Sequence, residues 1–74
     1  MSEQTFGQKA VGLSFNPSND DKVGQIKLKS AELIDHLNNE REVTDNQEVK
    51  RMLSIAITDL QSAQMWAVKA VTWS

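Results

Sequence analysis

Cysteine is absent from this chain, and histidine occurs once, at His36. Without thiolates there are no disulfides and no thiolate metal site, and a lone imidazole has no partners for a zinc or His-based catalytic cluster. His36 reads as a surface or cap residue, and the composition permits a reducing cytosol. No glycine-rich phosphate loop of the Walker or dinucleotide-fold kind is present, so neither an enzyme activity nor a cofactor or metal is expected. No apolar run approaches membrane-spanning length, and MSEQTFGQK lacks the apolar core of a signal peptide. Positive charge is outweighed by negative, 8 lysines and arginines against 10 acids. The net charge of −2 argues against binding duplex nucleic acid, where a basic surface supplies most of the affinity. A soluble, intracellular protein is expected, made of one domain, since 74 residues lie in the range where a lone core is marginal and oligomerisation is a common remedy.

What the chain does have is helical periodicity, strongest from Val49 to Trp73. Val49, Leu53, Ala56, Leu60, Ala63, Ala67 and Ala70 are spaced 4-3-4-3-4-3, a heptad stripe on one helix face. Alternate members are alanine, so a partner helix can approach closely. Met52, Trp66 and Trp73 flank the stripe on one side, Ile57 and Val71 on the other. Over the last two turns the apolar residues Met65, Trp66, Ala67, Val68, Ala70, Val71 and Trp73 cover nearly the whole circumference. A helix apolar all round must be buried all round, and so short a chain has too little other material to cover it. Copies of the same chain supply the missing surface in this reading.

The upstream sequence predicts two further helices. Ser2 is a candidate cap, with Glu3 in the first turn, for a short helix within residues 1–14 whose face is Phe6, Ala10 and Leu13. Gly7 and Gly12 weaken it by about 1 kcal/mol each relative to alanine. The single proline, Pro17, lies in Ser14–Asp21, a stretch of turn and cap chemistry in which Phe15 reads as a core anchor. A second helix is expected over residues 20–41, its stripe being Val23, Ile26, Ser30, Leu33 and Leu37 with Ile34 widening it. Lys22, Lys29, Glu32, Asp35 and Asn39 form its solvated side. Thr44-x-x-Gln47 matches a capping box and Asn46 is a competing cap, so the main helix, 46–73, restarts there. The fold class is all-α: a short N-terminal helix followed by a long antiparallel helical hairpin, in one domain without repeats or strands.

Two groups of residues are candidates for holding a small anion. Lys9, Lys22, Lys27 and Lys29 share the first thirty residues with Phe6, Phe15 and the Asn16-Pro17-Ser18 loop. Loop amides and a helix N-terminus suit phosphate, and an aromatic face suits a base. Arg51, Ser54 and Thr58 form a polar seam along the last helix, where one arginine per chain can converge on a symmetry axis. For each group the plain alternative is an ordinary solvated surface. Asp59, the one acid in the apolar part of the last helix, reads as a partner for a lysine or for another subunit.

TFGQKAVGLSFNPS, the following DDKVGQIK and AELID, and EVKRMLSIAITDLQSAQMWAVKAVTW resemble the small anti-CBASS sponge proteins of bacteriophages. These belong to a helical-hairpin family that also includes sponges acting against Thoeris defence. The resemblance spans nearly the whole chain and is sharpest in the FNPS loop with its following lysine-bearing helix and in the MWAVKA-x-TW ending. It implies a homo-oligomer, a hexamer, that captures cyclic di- and trinucleotide messengers in the cytoplasm of the infected bacterial host and so starves the cell-killing effectors. By the same resemblance the dinucleotide pocket lies between protomers. Phe6 would stack on a base and Lys22 would supply the cation, with Lys9, Asn16 and Ser18 as neighbours. Relatives carry a tyrosine at the stacking place; Phe6 keeps the π face and loses the hydroxyl. A separate trinucleotide site falls to Arg51, gathered about a three-fold axis, with Thr58 beside it. The rival reading is a structural helical oligomer that docks onto another protein through its tryptophan-rich end.

Overall fold

The computed structural model describes residues 3–12 and 22–73, which form three helices and, among the described residues, no strand. They are α1 (Phe6–Val11), α2 (Lys22–Val43) and α3 (Gln47–Val71). The two long helices pack as a hairpin, and α1 lies across it, mostly against α2.

α1 starts and stops later and earlier than its apolar spacing suggests. Thr5 and Gln8 form a reciprocal capping box: the Gln8 amide donates to Thr5 Oγ1 at 3.1 Å and the Thr5 amide donates to Gln8 Oε1 at 2.9 Å. With two first-turn donors satisfied there, Glu3 precedes the helix instead of entering its first turn, and the expected cap Ser2 lies outside the described residues. Gly12 ends the helix in the left-handed conformation, φ 66°, which a residue with a Cβ adopts at a cost. It is therefore a stop, not a weak point inside a longer helix.

Gly7 is not a weak point either. A Cβ built there would lie 2.1 Å from the Ala31 carbonyl oxygen, so the absence of a side chain is what lets α1 reach the α2 backbone. Its amide, one of the first-turn donors that a helix cannot satisfy itself, donates to Asp35 Oδ1 at 2.6 Å. Asp35 thus ties α1 down, a correction to its expected place on the solvated side of α2.

That tie changes which face of α2 is inside. Ala31 and Ile34 are the buried residues, whereas Leu33 and Leu28 are 45% and 38% exposed. The inward line is Lys27, Ala31, Ile34, Asn38 and Arg41, spaced 4-3-4-3 but polar at both ends. On α3 the inward line runs through Ile57 and Gln64, beside the alanine stripe, and Ala63 and Ala70 are exposed. Among the described residues the core is Val11, Ala31, Ile34 and Ile57, with Ala10, Leu37 and Leu60 packed on it. Gln61 Nε2 donates to the Ala10 carbonyl at 3.2 Å, which fastens α1 to α3 as well.

The hairpin turn is closed by Asn46, not by a Thr44–Gln47 box. Asn46 Oδ1 accepts from the Glu48 and Val49 amides at 2.9 and 3.2 Å, and Thr44 Oγ1 accepts from the Asn46 amide at 3.2 Å. α2 runs on to Val43, two residues past the expected end. No helix among the described residues is long and apolar enough to cross a membrane.

Candidate functional site

Phe6 opens α1 and is 45% exposed. Arg41 meets it from α2, with Cζ 5.4 Å from the ring centroid. The guanidinium is held in place from two sides, Nη2 donating to Asn38 Oδ1 at 2.6 Å and Nη1 to Ser54 Oγ of α3 at 3.0 Å. An aromatic face and a cation therefore meet near the turn of the hairpin, the cation within one chain being Arg41. Lys22 is the first residue of α2, nineteen residues from Arg41 and so about 28 Å away along the helix. A single chain does not bring Phe6 and Lys22 together.

Lys9 goes elsewhere. With Lys27, Gln64, Val11 and Gly12 it lines a concavity at the C-terminal end of α1. Lys27 Nζ donates to the Gly12 carbonyl at 3.3 Å, and Gln64 Oε1 is buried without a partner. Asn16 and Ser18, the remaining members of the expected dinucleotide site, lie outside the described residues, as does Phe15.

Arg51 and Thr58 do come together, two turns apart in one open groove with Ser54, Ile55 and Asp59. Neither is idle. Arg51 Nε donates to both carboxylate oxygens of Glu48 at 3.1 Å, and Nη2 also bonds Oε2. That contact holds the Glu48 carboxyl below the usual carboxylate range and raises the Arg51 guanidinium above its ordinary value. Both groups are in water, and exposed pairs of this kind contribute little to stability. Since the Glu48 value is depressed, whatever it contributes is present above the ordinary carboxylate range and lost as pH falls through the lowered value. Thr58 Oγ1 donates to the Ser54 carbonyl at 3.1 Å, so its proton is already committed. Ser54 Oγ accepts from Arg41.

The last turns of α3 are left bare. Trp66, Trp73 and Met65 are 68%, 74% and 65% exposed, and Met52, Ile55 and Val71 are also open. Lys69 lies between the tryptophans, 5.4 and 5.6 Å from their ring centroids.

Arg41, Asn38 and Asp35 are the site residues that sequence reasoning passed over. A search for apolar stripes skips them, yet Asn38 and Arg41 continue the spacing of Ala31 and Ile34. That phase was the signal available.

A short helix laid across an antiparallel hairpin, presenting one aromatic, two arginines and an uncovered tryptophan end, describes a binding module. The sequence pattern of the Acb2/Tad1 hairpin domain matches residues 8–72. The chain belongs to that family, the anti-CBASS and anti-Thoeris sponges, which is a family of binding domains. No curated protein matches the chain, and no solved structure does.

Proposed function

We propose that this protein is a phage counter-defence sponge. It binds cyclic di- and trinucleotide immune messengers without cleaving them, in the cytoplasm of the infected bacterial host, and CBASS effectors are then not switched on. The observation that carries this reading is the family match over residues 8–72. The exposed Phe6 ring beside Arg41 supports it, because a flat face next to a cation suits a base next to a phosphate. The test is a calorimetric titration with cyclic GMP-AMP, followed by denaturation and recovery of the ligand. Saturable binding with intact cyclic product is expected. No heat of binding favours the structural-oligomer alternative, and linear dinucleotide accumulating with time shows an enzyme.

The working form in this reading is a homo-oligomer, a hexamer, built on α3. Two features support it: the separation of Phe6 from Lys22, which a second copy can bridge, and the apolar surface that one chain leaves open. Trp66 gives a sharp test because its two settings differ so much. In a lone chain it is mostly in water and its loss costs little. Packed against another copy, Trp→Ala costs about 3–5 kcal/mol. Trp66→Ala should therefore leave the helical content intact and shift light scattering toward monomer at micromolar concentration. A wild-type protein that is already monomeric there contradicts the assembly.

A further inference from the structure

We propose that Arg41 is a ligand-binding residue of the Phe6 site, donating to a phosphate of a nucleotide whose base lies against the Phe6 ring. The inference rests on the sponge reading and names the cation on which that site depends. The chain has two arginines, and they are in opposite states. Arg51 is exposed and neutralised by Glu48. Arg41 is half-buried and, among the described residues, its partners are neutral: the Asn38 amide oxygen, the Ser54 hydroxyl and the Phe6 ring. Among the described residues no carboxylate is in ion-pair contact with this half-buried guanidinium, which leaves its charge open to an incoming anion.

The geometry is also prepared for an anion. A guanidinium carries five N–H donors, and two are engaged by Asn38 and Ser54. The other three belong to a planar fork whose orientation is already fixed by those two bonds. Such a fork grips phosphate bidentately with little ordering left to lose. Lys22, about 28 Å away along α2, cannot serve the same ring within one chain. Arg41 and Phe6 thus form a half-site that each chain carries complete.

The test titrates the wild type, Arg41→Gln, Arg41→Lys and Asn38→Ala with cyclic GMP-AMP and with cyclic tri-adenylate, each at two salt concentrations. Arg41→Gln should weaken cyclic GMP-AMP at least about tenfold, as expected for a lost charged hydrogen bond. It should also flatten the salt dependence and leave cyclic tri-adenylate within about twofold. Arg41→Lys keeps the charge without the fork and should fall between. If Arg41→Gln does not fold, Asn38→Ala decides. It keeps the charge, removes one anchor, and should cost about threefold. Wild-type affinity for cyclic GMP-AMP in Arg41→Gln, or in Asn38→Ala where that variant decides, overturns the proposal, as does equal loss of both ligands. A wild type that binds neither ligand instead removes the sponge reading itself.

Discussion

Gly7→Ala should detach α1 from the hairpin and lower the melting temperature. Helix propensity argues the other way: alanine in place of glycine inside a helix gains about 1 kcal/mol. Packing decides the sign here. The new methyl would sit 2.1 Å from the Ala31 carbonyl oxygen, a backbone atom that no side-chain rotation moves aside. Backing α1 away lengthens the 2.6 Å bond from the Gly7 amide to Asp35, a hydrogen bond to a charged group worth about 1.5–3 kcal/mol. It also uncovers Val11, a buried core residue. Overpacking alone costs about 1–3 kcal/mol, so the net should be a loss of about 2 kcal/mol or more. In a domain this small that is a fall of roughly 8–16 °C. Hydrogen exchange should show α1 amides losing protection first while the α2–α3 hairpin keeps its own. Because α1 carries Phe6, cyclic dinucleotide binding should fall with it. A variant that melts higher than the wild type would mean that α1 does not lie on Ala31 at all.

The hairpin itself was legible because two long runs of helical periodicity are separated by a short polar turn that holds a good cap residue, Asn46. What the pattern misplaced was the phase of each helix by a fraction of a turn. On α2 the apolar count favours Leu33, yet α1 docks over Ala31 and Asp35, and this turns Ile34 and Arg41 inward. That docking depends on the missing side chain at Gly7, which reads along the sequence only as a helix defect. On α3 the heptad stripe runs through Ala63 and Ala70, yet both are exposed, and Gln61 and Gln64, which no apolar pattern includes, face the rest of the chain. The candidate site was legible to the same degree. Arg51 and Thr58 share a groove because a seven-residue spacing on one helix guarantees it. Phe6 and Lys22 do not, since α1 folds back along α2 and leaves them at opposite ends.

Phe6→Ala and Arg51→Ala should separate the two ligand classes, each removing one and sparing the other. Stacking on an aromatic is worth about 1–3 kcal/mol per base, so Phe6→Ala should weaken cyclic dinucleotide tenfold to a hundredfold. The loss should sit at the upper end of that range, because Arg41 also loses the ring it rests on. Arg51 lies on the other long helix, in a groove that does not include Phe6. To take a phosphate it must leave Glu48, and that costs little: an exposed pair holds by about 0–1 kcal/mol, and a phosphodiester, a monoanion like the carboxylate, can receive the guanidinium bidentately in its place. An exposed carboxyl at or below its ordinary value is ionised throughout neutral pH, so the competition should not change between pH 6 and 8. Three phosphates meeting three copies of one side chain would multiply the effect, and Arg51→Ala should abolish cyclic trinucleotide binding. Among the described residues the two places are linked through Arg41, which meets Phe6, and through Ser54, which accepts from Arg41 and lines the Arg51 groove. Both variants are therefore titrated with both ligands, after light scattering shows the wild-type assembly. If either substitution removes both activities in an intact oligomer, the sites are one site and the separation fails.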